Sequence, residues 1–167
     1  MRSLPFFILF FFTGHQLFAQ DYKIIDRDSF SLHYPSSWKL DTKSKDYEPD
    51  STFTINAPGK LNNVIFFIKY QNINIENALD YMTILTTSTF RIKKTESIDI
   101  TNWGNLSGKG TVIKGKEMGS DIIIKLFVYS EMNRALSVME IYRDGKIDKL
   151  KEEFNSIALS FKFKGQN

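Results

Sequence analysis

The chain has no cysteine. Disulfides, iron–sulfur clusters and thiolate zinc sites are therefore excluded, and the fold must rest on noncovalent packing alone. Histidine is nearly as scarce, with two in 167 residues. One of them, His15, falls in the leader described below, so only His33 is left for nucleophilic or metal chemistry. A Ser–His–acid arrangement has little to draw on, no G-x-S-x-G elbow occurs, and one His without Cys offers zinc only carboxylates. His33 lies between Leu32 and Tyr34 in an alternating stretch and reads as a strand-surface residue. No apolar run reaches the roughly 18 to 20 residues that a membrane-spanning helix requires.

The beginning, MRSLPFFILFFFTGHQLFAQ, has one positive charge at Arg2, an apolar run from Leu4 to Phe12 and a small Ala19 before Gln20. This is the pattern of a secretory signal peptide, with cleavage expected after Ala19. Residues 1–19 are thus expected to leave, and residues 20–167 to form a single exported domain, periplasmic or secreted. An uncleaved anchor is the alternative, opposed by the interruption at Thr13, Gly14, His15 and Gln16. With no cysteine after the leader, attachment through an N-terminal lipidated cysteine is excluded. Lys and Arg number 22 against 19 Asp and Glu, and loss of Arg2 brings the balance closer to neutral. No dense basic stripe accompanies the basic pI. Lys93-Lys94 and the Lys109, Lys114, Lys116 group read as solvated strand ends, so nucleic acid is not an expected partner.

What the chain does have is aromatic residues, 15 Phe, 7 Tyr and 2 Trp, enough to build a core without covalent staples. A short lead-in strand is expected around Tyr22 to Ile25. Phe30, Leu32 and Tyr34 alternate with Ser31 and His33, a strand ended by Pro35; Ser36-Ser37 supply a turn leading to Trp38, Lys39 and Leu40. Residues 41–51 read as an exposed loop. Thr52 to Ala57 alternates as a strand, and 62–71, NNVIFFIKYQ, reads as a central strand covered on both faces. From Asn74, a candidate N-cap, the spacing of Ile75, Ala78, Leu79, Met82 and Leu85 predicts an amphipathic helix ending near Lys93 or Lys94. Four strands follow, at 96–101, 108–114, 121–130 and 134–143, with short turn-rich links that imply an antiparallel meander. In the third, Ile122, Ile124, Leu126 and Val128 share one face, and Ile123, Phe127 and Tyr129 the other. After Asp144-Gly145 the stripe Ile147, Leu150, Phe154, Ile157 and Ala158 marks a second helix, with Lys149, Lys151, Glu152 and Glu153 outside. Leu159, Phe161 and Phe163 then alternate as a closing strand. The order implies an α+β fold: a three-layer α/β/α sandwich with a central, mainly antiparallel sheet of about six to seven strands.

The stretch from Phe30 to Trp38, FSLHYPSSW, resembles the opening strand and corner of the PsbP-like domain family. There, a strand ending in Tyr-Pro leads through two small or polar residues to Trp. Ile157-Ala158-Leu159-Ser160-Phe161 resembles the family's helix-to-strand closing Ser-Phe, and the element order between them agrees over about Asp28 to Lys164. The resemblance implies a docking or accessory role without a shared catalytic residue: members include an extrinsic photosystem II subunit, a Ran-binding nuclear import factor and exported bacterial proteins. It also makes Tyr34, Pro35 and Trp38 a structural corner, Trp38 covering one end of the core while its indole nitrogen finds an acceptor.

Other constellations are weaker. Asp46, Glu48 and Asp50 mimic the first ligands of a calcium loop, but Pro49 stiffens the turn, no Gly bends it and no Glu closes it, so a solvated acidic loop is the reading. GNLSGKGT, 104–111, has the wrong spacing for a phosphate loop and reads as turn and strand entry. A carboxylate pair for hydrolysis has no specific support in the pattern. The expected function is a non-enzymatic binding domain, without cofactor, that docks onto a cell-envelope protein, with Trp103 in its polar turn and Tyr47 in the acidic loop as candidate contacts. A carrier of a small apolar ligand between helix and sheet, or a hydrolase with an unrecognised carboxylate site, are the alternatives.

Overall fold

The computed structural model describes residues 21–59, 61–143 and 147–165; the expected signal peptide and the Asp144-Gly145 turn lie outside the described residues. Strands β1 (Tyr22–Asp26) and β2 (Phe30–Pro35) form an antiparallel pair that β10 (Lys162–Phe163) extends on the other side of β2. The remaining strands form a second sheet: β3 (Lys39–Leu40), β4 (Thr52–Asn56), β5 (Asn63–Lys69), β6 (Lys93–Trp103), β7 (Leu106–Glu117), β8 (Ser120–Glu131) and β9 (Arg134–Arg143). Its order is β3-β4-β5-β9-β8-β7-β6, with every pair antiparallel. The α+β sandwich and the meander from β6 to β9 are as the sequence indicates. The main sheet has seven strands, within the expected six to seven, while β1, β2 and β10 form a second, smaller sheet that packs over it.

Two hydrophobic layers result, one on each face of the main sheet. On one face the small sheet and α2 (Ile147–Ser160) enclose a ring-rich core. Phe30 stacks on Phe53 at 5.5 Å, Phe53 on Phe66 at 4.7 Å, and Phe161 lies 5.9 Å from both Phe30 and Trp103. On the other face, α1 (Ile75–Thr89) covers Ile113, Ile122, Ile124, Leu126 and Val128. The Asn74 side chain caps α1 by accepting from the Asn77 amide at 3.0 Å.

The α1 helix stops at Thr89, short of the expected Lys93. Phe90 takes the cap position, Arg91 turns through positive φ (49°), and the chain enters β6. Thr83, Thr87 and Ser88 bond back to preceding carbonyls, a competition with the helix that weakens its end. The buried stripe also shifts, with Thr86 at 1% exposure facing the sheet and Leu85 left outside at 47%.

A second correction concerns 62–71. In β5 only Val64, Phe66 and Ile68 are fully covered; on the α1 side Ile65 is half-buried and Phe67 exposed. The reason is width. A helix is about 10 Å across and strands lie about 4.8 Å apart, so one helix roofs two or three strands. Here it roofs β7 and β8. The strand greasy on both faces and covered on both is β8, where Ile122, Ile124, Leu126 and Val128 face α1 while Phe127 and Tyr129 face the ring core.

At the other end, α2 runs through Ser160, so Leu159 is helical and 46% exposed rather than part of a closing strand. Ser160 accepts from the His33 amide at 2.8 Å and lies 2.9 Å from the His33 carbonyl, which fastens α2 to β2. Glu153, expected outside, is buried at 8% exposure.

Candidate interaction surface

Tyr34, Pro35 and Trp38 are all buried, but the corner they form lies where the chain leaves the small sheet for the main one, not between two paired strands. The Trp38 amide closes the turn onto the Pro35 carbonyl at 2.9 Å. Its ring meets Phe154 edge-on at 5.0 Å, and its indole N–H donates to Glu153 Oε2 at 2.8 Å. This interaction draws the Glu153 carboxylate inward.

Trp103 is corrected from exposed contact to core residue. It is 1% exposed, packs against Phe66, Phe127 and Phe161, and donates its indole N–H to Glu140 Oε1 at 2.6 Å. The polar residues around it in sequence belong to the turn, where Gly104 takes positive φ (56°) so that the backbone can press against α2. A Cβ there would sit 2.1 Å from the Ala158 carbonyl oxygen.

Glu140 is the centre of a buried polar cluster. It is 1% exposed, accepts from Trp103 and from Tyr142 Oη at 2.7 Å, and lies 3.5 Å from Lys125 Nζ. Burial, then the neighbouring Glu140 charge and the hydrogen bond to it, push the Tyr142 phenol far above its ordinary range. Three donors converging on one carboxylate satisfy a group that would otherwise be costly to bury. The signal for it in the sequence is an acid set directly among apolar neighbours, Val138-Met139-Glu140-Ile141.

Tyr47 is half-buried and packs against the ring core at the edge of β4. Burial and then Tyr47 itself raise the Tyr34 phenol. Beside Tyr47, Thr54, Ile65 and Phe67 line a shallow cavity of about 160 Å³ that opens on the face α1 leaves uncovered. Glu76 at the start of α1 pairs with Lys109 on β7, so that flank of the helix faces β7. At about 100° per residue, Tyr81 and Leu85 fall on the opposite flank, toward β9 and β5. Tyr81 (67%), Ile84 (68%) and Leu85 are exposed. Ile65 and Phe67 on β5 thus lie open beside the Tyr47 loop, edged by Thr52 and Thr54. Tyr81 and Ile84 interrupt the polar side of the helical pattern, a signal that went unread.

The remaining candidates are accounted for by local contacts. In the acidic loop Glu48 accepts from Ser51, Asp50 lies 3.8 Å from Arg27, and the Asp46 amide donates to Ser44 Oγ at 3.3 Å. Among the described residues no three His, Cys, Asp or Glu side chains gather as a metal site. Lys109, Lys114 and Lys116 pair with Glu76, Glu96 and Asp121. His33 is exposed. No described helix is long and apolar enough to cross a membrane.

No family model and no curated protein matches the chain. Solved structures do. The Ran-binding protein Mog1p of Saccharomyces cerevisiae aligns with TM-score 0.56 at 6% identity, over 86% of this chain and 96% of its own. Cyanobacterial PsbP (CyanoP) from Synechocystis gives 0.54 at 10%, over 86% and 92%. LpqN, involved in cell envelope biogenesis of Mycobacterium tuberculosis, gives 0.50 at 13%, over 88% and 86%. A Bacteroides thetaiotaomicron protein matches at 0.52 and 15% identity, and this chain spans only 46% of it. At such identities the likeness is one of fold.

Proposed function

Starting from the fold that this chain shares with CyanoP and Mog1p, we propose that it is a non-enzymatic accessory domain, exported after cleavage at Ala19, that docks onto a protein of the cell envelope. The observation that carries the reading is the open half of the main sheet. Ile65 is half-buried and Phe67 exposed on that sheet, and Tyr81, Ile84 and Leu85 stand exposed on the helix that covers the rest, apolar side chains of the kind that mark a contact site. The cavity under Tyr47, about 160 Å³, is below the few hundred Å³ of a typical small-molecule pocket, which favours a protein face there. The names of two structural neighbours support the direction, one a Ran-binding protein and one a protein of envelope biogenesis. Glu140, the most deeply buried carboxylate among the described residues, is enclosed by its own donors, so a hydrolase has less support.

A photo-crosslinking residue at position 67 tests this in intact cells, with the same residue at exposed Glu152 as control. A discrete envelope-protein adduct is expected from position 67, lost when Tyr81→Lys is added. Labelling equal from both positions would refute the surface, and a retained leader in the envelope fraction would refute cleavage.

A further inference from the structure

At the far end of the two sheets, where the β1–β2 turn, the end of β5, the β8–β9 turn and β10 meet, a cleft of about 600 Å³ opens, lined among others by Asp28, Tyr70, Met132, Arg134 and Phe163. Its volume is in the range of small-molecule sites. Arg134 is its unusual feature. The guanidinium lies over the Phe163 ring, 4.9 Å from the centroid; Nη1 has a long 3.4 Å contact with the Lys164 carbonyl, and the group also approaches the Tyr129 hydroxyl, which donates to Glu131, the residue opposite Arg134 in the β8–β9 hairpin. The buried Nε has no acceptor, and among the described residues the side chain makes no ion pair. Arg143 is by contrast held by both oxygens of Glu117, and Arg27 lies 3.8 Å from Asp50.

Tyr129, with Glu131 behind it, answers only part of a half-buried guanidinium that brings five donors and a full charge, and its orphaned Nε marks a group that an anion in the cleft would complete. Position is also fixed in advance. The preceding turn runs through Met132 and Asn133 at positive φ, and Asn133 is tied to Asn72 by two side-chain hydrogen bonds, at 3.0 and 3.3 Å. Lys164 adds no free charge, because Asp26 takes its ammonium at 2.7 Å. On the opposite wall Ser29 donates to Tyr70 Oη, which donates to the Asp50 carbonyl at 2.7 Å, so that wall is already satisfied.

We propose that this cleft binds a small organic monocarboxylate, its carboxylate on the outward Nη edge of Arg134 and its apolar part along Phe163 and Met132. One guanidinium suits one negative charge, and Asp28 at the rim repels a dianion such as phosphate.

The test is a titration of the full chain with hexanoate, followed through the Met132 methyl and Phe163 ring resonances, with hexanamide and inorganic phosphate as comparison probes. Hexanoate is expected to shift both signals saturably and to bind at least about tenfold tighter than hexanamide, the margin of a charge-assisted hydrogen bond. Arg134→Gln should lose about the same factor, and Asp28→Asn, an exposed change that spares the core, should tighten binding about twofold or more. Equal binding of hexanamide, preference for phosphate, or an unchanged hexanoate affinity in Asp28→Asn would each overturn the assignment, even if Arg134→Gln fails to fold.

Discussion

Replacing Trp103 by Phe isolates the bond that the core makes to Glu140. The phenyl ring keeps the aromatic contacts to Phe66, Phe127 and Phe161 but removes the indole N–H that reaches Oε1 at 2.6 Å. A hydrogen bond to a charged acceptor contributes about 1.5–3 kcal/mol, and the smaller ring forfeits roughly another 1 kcal/mol of burial. The expected loss is therefore about 2.5–4 kcal/mol, a melting point lower by roughly 5–15 °C for a domain of this size. Lys125 softens the effect little, since it sits 3.5 Å away and is 27% exposed in its side chain. Urea titrations of the Trp103→Phe and Glu140→Gln variants and of the double variant, with slopes checked for equality, give the coupling between the two groups. A coupling of about 1–3 kcal/mol is expected for partners in one buried network. A Trp103→Phe cost below about 0.5 kcal/mol, or strictly additive variants, would refute the claim that the indole holds the carboxylate.

Three further outcomes follow from the same packing. Trp38→Ala should cost about 3–5 kcal/mol, because it empties a fully buried ring site and withdraws a donor from Glu153; an unchanged urea midpoint would contradict this. Gly104→Ala combines positive φ with a Cβ 2.1 Å from the Ala158 carbonyl oxygen, so about 2–4 kcal/mol is expected, read as a lower melting point. Tyr142 has its folded-state value raised above 10.0, so the unfolded chain loses this proton first. Its stabilisation is complete below about pH 10 and disappears as pH rises beyond that, and Tyr142→Phe should flatten the fall of the urea midpoint between about pH 9 and pH 11. Tyr34 and Tyr129 are raised as well, so the flattening is partial.

Local pattern located the elements and missed what depends on distant partners. The strand 134–143 coincides with β9 at both ends, and Asn74 caps α1 as its position before Ile75 suggests, because both follow from periodicity and short-range hydrogen bonding. FSLHYPSSW placed a buried tryptophan correctly, and Ser160 of the closing motif turns out to fasten α2 to the backbone of His33. Trp103 went the other way. Its neighbours Asn102, Gly104 and Asn105 are those of an exposed turn, and its burial depends on Glu140, 37 residues on. Glu153 lies on the polar side of the α2 stripe and is drawn in by Trp38 from 115 residues away. Nor does alternation along β1, β2 and β10 encode which sheet they join, since a strand with one covered face has the same pattern in either.

The open face follows from the difference between the two covers. On the ring-core side, α2 and a three-stranded sheet lie together over the main sheet, some 25 Å of cover at usual spacings. On the other side a single helix about 10 Å across faces seven strands, roughly 30 Å of sheet. The chain between β3 and β4 is an irregular acidic loop that covers only the edge of this face, with Ser44, Asp46 and Tyr47. Thr52, Thr54, Asn56 and Asn63 keep much of the uncovered area polar, but Ile65 and Phe67 stand in the middle of it. A surface serving only solubility would place polar side chains at those two positions as well. Ile65 packs in part against the layer under α1, but Phe67 on the sheet and Tyr81 and Leu85 on the helix remain exposed, which costs solubility and adds little to the folded monomer, a balance that fits the docking partner proposed above.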